Sequence, residues 1–316
     1  GMFHSPDGPG CGATRSLADG ACIANGSALG SRQRSTMPTF EHADATLFYT
    51  DAGEGPAVIL LTGYAVGGGV WEYQVPALAE HYRVLCLDNR GAGQTRGPSK
   101  AWSMRELAGD VLALMDHLGL AEAHLVGCSM GGMIAQEVAL MAKGRLLSLT
   151  LIATHAGRLI DRLPRQTTIA GFVKSNLGHR ETRRRAVERL LFPPAYLANG
   201  PRDRIDHALE RDFLVQPSWA DRLGQLAAIL THDTSRRLRA LAGLPTLIIV
   251  AGQDVLLPPS GCDALARLIP GARKVVLADA GHGVIGQCPD EVNAALLAHL
   301  DGARSRAGSA AASASA

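Results

Sequence analysis

Seven short apolar runs, at residues 46–51, 57–61, 82–87, 123–127, 147–152, 245–251 and 273–278, constrain this chain more than any other feature. Each is long enough for a buried strand and too short for a helix. Between them lie stretches with helical spacing, at 103–118, 130–142, 259–268 and 289–300. In the first of these, Leu107, Val111, Leu114, Met115 and Leu118 recur every three or four positions, which gives one apolar face. Short apolar strands alternating with amphipathic helices predict an α/β fold, a mostly parallel sheet covered on both faces. One interval breaks the rhythm. The roughly 93 residues between the runs at 147–152 and 245–251 are too many for a crossover, so a helical cap is expected over 155–240.

One junction in this pattern carries chemistry. Gly127-Cys128-Ser129-Met130-Gly131 directly follows the run ending at Val126 and directly precedes Gly132–Ala139, an amphipathic stretch. A strand ending in Gly-x-Ser-x-Gly and turning at once into a helix holds its serine in an uncommon backbone conformation. The positions two before and two after it must then be small, and both are glycine. The following helix directs N–H groups and the positive end of its dipole at the serine oxygen. Ser129 is therefore the candidate nucleophile, with Cys128 expected to point away into the core.

A serine hydroxyl needs a base, and the base needs an orienting acid. Gly252-Gln253-Asp254 follows the run 245–251, and Ala280-Gly281-His282-Gly283 follows the run 273–278. Asp279 and Asp88 compete for the acid role, but only Asp254 sits in a loop after the expected strand. Ser129, Asp254 and His282 each lie just past a strand's C-terminal end, the edge where parallel sheets build their sites. Asp88 and Arg90, after the run 82–87, are expected to form a loop-fixing ion pair.

These pieces resemble the α/β-hydrolase superfamily, in particular its cap-bearing esterase, lactonase and C–C hydrolase group. The resemblance covers roughly residues 38–302. It rests on Leu60-Leu61-Thr62-Gly63-Tyr64, Trp71 with Pro76-Ala77-Leu78, Asp88 to Thr95, the Gly127–Gly131 elbow, Gly252-Gln253-Asp254 and Gly281-His282. It implies catalysis by Ser129, Asp254 and His282 in that chain order, and an oxyanion hole made by the backbone N–H groups of Met130 and Tyr64. Thr62-Gly63 stands where most relatives carry His-Gly; the donor is a backbone group, so the hole is retained. The implied activity is serine hydrolysis of a carboxylic ester, lactone or thioester through an acyl-enzyme. Other readings on the same fold are C–C bond hydrolysis, acyl transfer, and cofactor-free oxygenase or perhydrolase chemistry. From a different class comes a ligand-binding receptor with a vestigial triad. Aspartate-nucleophile relatives are disfavoured by the serine at 129.

The remaining sequence narrows partners and boundaries. A net charge of +2 in 316 residues, with no aromatic-interleaved basic stripe, argues against nucleic acid. No apolar run is long enough to span a bilayer. The six cysteines lack metal-type spacing and suit a reducing, cytoplasmic setting. No cofactor or metal is expected. Core domains are expected over 38–154 and 241–302. Residues 1–37 and 303–316 read as disordered tails, Gly1 as a tag scar and Met37 as a natural start. The cap holds 16 of the 31 Lys/Arg and 9 of the 29 Asp/Glu. Such an excess could steer a small anionic acyl substrate, although Arg183-Arg184-Arg185 also fits a solvated helix face. Tyr64, Trp71 and His155 are candidate substrate contacts. Further candidates in the cap are Phe172, Leu177, Leu190, Phe192, Tyr196, Phe213, Trp219 and Leu223.

Overall fold

The computed structural model describes residues 38–157, 166–177, 179–210 and 217–314; the expected tail at 1–37 and Phe213 lie outside them. The strands are β1 (Thr39–His42), β2 (Ala45–Ala52), β3 (Ala57–Leu61), β4 (Arg83–Leu87), β5 (Ala123–Cys128), β6 (Leu146–Ile152), β7 (Thr246–Ala251) and β8 (Arg273–Leu277). They form one sheet in the order β1-β2-β4-β3-β5-β6-β7-β8. From β4 to β8 every pairing is parallel, whereas β2 runs antiparallel to β4 and to β1. The seven runs read from the sequence are seven of these strands. The eighth, β1, has no apolar run; its Thr-Phe-Glu-His alternation buries only Phe40, and pairing with β2 makes it a strand.

The helices are α1 (Gln74–Ala79), α2 (Met104–His117), α3 (Met130–Ala142), α4 (Gln166–Leu177), α5 (Arg180–Leu191), α6 (Pro194–Asn199), α7 (Arg202–Ala208), α8 (Trp219–Thr231), α9 (Ser260–Leu268), α10 (Val284–Gln287) and α11 (Pro289–Ala314). The start of α2 is fixed by a capping box, Ser103 and Glu106 each satisfying the other's backbone N–H. α4 to α8 all fall between β6 and β7. The tail expected at 303–316 is a correction: α11 continues to Ala314. That stretch lacks apolar periodicity, but alanine is the strongest helix former and extends a helix already docked through Val292, Leu296 and Leu300.

The sheet divides the interior in two. Ile59, Leu61, Leu85, Leu87 and Leu125 face α2 and α3, while Val58, Leu60, Val84, Cys86 and Val126 face the other way, toward Trp71, Leu78, Val292 and Leu296. This is the period-two alternation of a strand read out as two cores. Every residue of β3 is buried. The helices between β6 and β7 add a small core of their own from Val187, Leu191, Phe192, Ile205 and Leu209. No described helix is long and apolar enough to cross a membrane.

Candidate active site

β3 pairs with β4 on one side and β5 on the other, so the chain reverses its direction of travel across the sheet at this point. A crevice opens at the carboxyl ends of strands beside such a switch. The loops after β3, β5, β7 and β8 all reach that rim.

Ser129 stands between β5 and α3 with φ 56° and ψ −121°. A non-glycine residue in this region costs on the order of 1–3 kcal/mol and persists only where its surroundings over-determine it. Here they do. The Ser129 N–H donates to the Ile152 carbonyl at 2.9 Å. Its own carbonyl accepts from Gly132 N at 2.9 Å and from the Thr154 hydroxyl at 2.8 Å. A side chain at Gly127 would collide with the Gly131 carbonyl, and one at Gly131 with the Leu61 carbonyl. Both glycines of the motif are thus required by close backbone approach.

The candidate base and acid arrive from the neighbouring loops. His282 Nε2 lies 2.9 Å from Ser129 Oγ, and His282 Nδ1 lies 2.6 Å from Asp254 Oδ2. The other carboxylate oxygen, Asp254 Oδ1, accepts the N–H groups of Leu256 and Leu257, each at 2.8 Å. These contacts fix the orientation of the carboxylate. Asp254 and His282 are 5% and 8% exposed, so the relay is shielded from water yet reachable. The histidine loop is held from both sides: Gly281 N–H donates to Gln287 Oε1 and Gly283 N–H to the Leu191 carbonyl, each at 2.8 Å. Asp279, the rival acid, instead accepts from Gln253 Nε2 at 3.2 Å.

The turn after β3 lies against Ser129. A Cβ added to Gly63 would come within 3.3 Å of Ser129 Cβ. Tyr64 follows it, and Met130 is the first residue of α3, where a helix N–H has no partner within the helix. Thr62, placed where a histidine was expected from the resemblance, is fully buried, and its hydroxyl donates to the Val66 carbonyl at 2.9 Å. Asn89 Nδ2 donates to Thr62 Oγ1 at 3.1 Å, so a hydroxyl and an amide close the turn. Thr154 did not stand out in the sequence, because the contact that gives it meaning joins distant loops.

One other expectation needs revision. Asp88 and Arg90 do not pair with each other. Asp88 accepts the N–H groups of Gly68 at 2.6 Å and Gln94 at 2.7 Å, and burial raises its pKa. Arg90 instead engages Asp110, at 2.7 Å from Nε and 3.0 Å from Nη2, and also pairs with Asp44. Trp71 is fully buried, and His155, also buried, accepts the Gly157 N–H on Nδ1 at 2.9 Å. Cys128 points into the core as expected, and burial pushes its thiol up to about 12, leaving it no rival to Ser129.

The helical insertion approaches the site unevenly. The Tyr64 ring packs 5.6 Å from Phe172, and Arg222 Nη1 donates to Asn176 Oδ1 at 3.0 Å beside it. Leu190 and Phe192 are buried, with Phe192 stacked on Tyr196, whereas Leu177 and Leu223 are 67% and 57% exposed. Trp219 lies under the Arg222 guanidinium, 3.9 Å from ring centroid to Cζ. The basic run on α5 is met by carboxylates: Arg184 pairs with Glu188, Asp206 and Glu210, and Arg185 with Glu181.

A family profile described as alpha/beta hydrolase fold matches residues 56–287, nearly the whole stretch that builds this rim. The chain belongs to the α/β-hydrolase family. This α/β-hydrolase is 30% identical over 262 residues to RutD of Azorhizobium caulinodans, provisionally named a carbamate hydrolase, with 83% of this chain and 97% of that one covered. The enol-lactonase of Burkholderia xenovorans LB400 superposes with a TM-score of 0.72 at 28% identity, covering 84% of this chain and 100% of the other. A thermophilic esterase of Thermogutta terrifontis gives a TM-score of 0.70 at 27% identity, covering 82% and 94%. Among the described residues of this α/β-hydrolase, no group of three or more His, Cys, Asp or Glu could hold a metal ion.

Proposed function

We propose that this α/β-hydrolase is a serine hydrolase that cleaves a carboxylic ester, lactone or thioester through an acyl-enzyme on Ser129. The observation that carries the reading is the continuous relay Asp254–His282–Ser129, with contacts of 2.6 and 2.9 Å, ending on a serine held at positive φ by three backbone and side-chain hydrogen bonds. His282 takes the Ser129 proton through Nε2 as Oγ attacks the acyl carbon. Asp254, receiving the Nδ1 proton, holds the imidazole in the required tautomer and stabilises the imidazolium. The tetrahedral oxyanion is received by the N–H groups of Met130 and Tyr64, each such donor typically contributing a few kcal/mol. His282 then returns its proton to the leaving group. Water, activated by the same nitrogen, releases the acid and restores the hydroxyl.

The cycle uses only groups of this chain and water. The helices between β6 and β7 act as a cap whose Phe172 side, next to Tyr64, lines the acyl pocket. Free thiols at Cys86, Cys128, Cys262 and Cys288 support a reducing, cytoplasmic location. The reading is tested by turnover of short p-nitrophenyl esters, lactones and thioesters. Multiple turnovers by the native chain are expected, with a loss of at least about ten-thousand-fold in kcat for Ser129→Ala. Wild-type turnover in that variant would refute the reading.

A further inference from the structure

The turn that presents the Tyr64 N–H is not held by the sheet alone. Ala65, the next residue, has φ 62°, a left-handed conformation that a residue with a Cβ adopts only when something holds it there. Its N–H donates to Oε1 of Gln225 at 2.8 Å, a residue 160 positions away on α8 of the helical insertion. The same Gln225 side chain donates from Nε2 to the Arg90 carbonyl at 2.7 Å. Gln225 is fully buried, so both polar ends of its amide are spent on backbone groups of two core loops.

The far anchor is itself rigid. Arg90 is clamped by Asp110 and by the His42 carbonyl, at 3.1 Å from Nη2. The helix that carries Gln225 is seated without room to slide. A side chain at Gly224 would strike the Lys100 carbonyl and the Trp102 ring, and the Ser99 hydroxyl donates to Asp221 Oδ1 at 2.6 Å. Arg222, Gly224, Gln225 and Ala228 form the buried face of α8.

We infer that Gln225 is a positioning residue that ties the docking of α8 to the conformation of the Gly63-Tyr64-Ala65 turn, and so makes the oxyanion-binding geometry depend on the insertion. The amide does not touch the reacting atoms. It fixes the plane of the Tyr64–Ala65 peptide, and through it the direction in which the neighbouring Tyr64 N–H points. When α8 lifts, the turn loses the hydrogen bond that holds Ala65 in its left-handed state. The insertion therefore controls catalytic competence as well as access. This inference rests on the serine-hydrolase reading of the same site.

The test compares Gln225→Leu, which removes both hydrogen bonds at similar volume, with Gln225→Glu, which keeps an acceptor for the Ala65 N–H and loses the donor to Arg90. The readouts are kcat and KM for p-nitrophenyl acetate, Ki for a trifluoromethyl ketone that binds as a tetrahedral oxyanion, and hydrogen exchange at the Ala65 amide. Gln225→Leu is expected to lose about 10- to 100-fold in kcat with KM changed less than about threefold. Its Ki should rise by the same factor as kcat falls, with faster exchange at Ala65. Gln225→Glu is expected to retain most of the activity. A folded Gln225→Leu or Gln225→Glu variant with accelerated exchange at Ala65 and unchanged kcat and Ki would overturn the inference. If the leucine variant does not fold, the glutamate variant decides: exchange at Ala65 that stays slow while kcat and Ki shift out of step also overturns it. A native chain that neither turns over esters nor is acylated at Ser129 would bring down the hydrolase reading itself, a result distinct from either outcome.

Discussion

The carboxyl rim of the sheet and the helical insertion above it are built by different physics. On the rim, β3 and β7 are buried along their whole length, and the loops leaving the strands are pinned by side-chain hydrogen bonds, most of them to the backbone, at 2.6–3.1 Å. The insertion rests on a five-residue core of its own and on surface ion pairs, each contributing little in solvent. It leaves Ile169, Val173, Leu177, Trp219 and Leu223 at least 45% exposed. Among the bonds that join it to the core loops are Gly283 N–H to the Leu191 carbonyl, Ala65 N–H to Gln225 Oε1, and Gln225 Nε2 to the Arg90 carbonyl. The difference teaches that a loop pinned at strand ends has little freedom to move, whereas an insertion with a small core of its own can vary on its outer face.

The contrast can be broken at the rim first. Asp254→Asn keeps the shape but removes the acceptor that selects the His282 tautomer. We expect a loss on the order of a thousand- to ten-thousand-fold in kcat, with a melting temperature within a few degrees of the native chain. A loss below tenfold would show that the acid is dispensable and the rim less committed than its geometry implies.

Acid sharpens the comparison at the level of stability. His124, at the start of β5, and His232, at the end of α8, are each lowered to about 4, chiefly by burial. Below about 6.5 the unfolded chain takes up protons that the folded chain refuses, so stability is complete above that pH and is lost as pH falls toward 4. The two groups together cost up to a few kcal/mol there. Thermal melts from pH 7 to pH 4 should show a steady decline, reduced in slope by His232→Gln. A flat profile would contradict the assignment of both histidines as buried and neutral.

The smallest effect is expected on the insertion's outer face. Leu223→Ser removes an exposed leucine and should change stability by no more than about 0.5 kcal/mol. Turnover of acetate esters should be unaffected, and a shift in the preference among longer acyl chains would extend the pocket to that helix.

The rim was legible because its constraints are local. Apolar runs at 57–61, 123–127 and 245–251 can only be buried strands, and glycines at 127 and 131 flank a serine that needs them. The candidate acid and base, Asp254 and His282, follow from their places after strands. What escaped detection depends on pairs far apart in sequence: Arg90 with Asp110 rather than Asp88, and Ala65 with Gln225. No periodicity marks such residues, since a buried amide is recognised only by what it faces. β1 escaped because a four-residue strand with one buried side chain has too little pattern. The helix beyond residue 303 escaped because alanine carries propensity without periodicity.

The most direct test of the central claim is to quench a reaction with a p-nitrophenyl ester in acid within its first turnover and map the acyl mass by peptide mass spectrometry. The account predicts one acyl group on the peptide containing Ser129, absent in Ser129→Ala and formed far more slowly in His282→Ala. Ester turnover with no acyl group on Ser129 at any quench time, or with the mass on another residue, would contradict it.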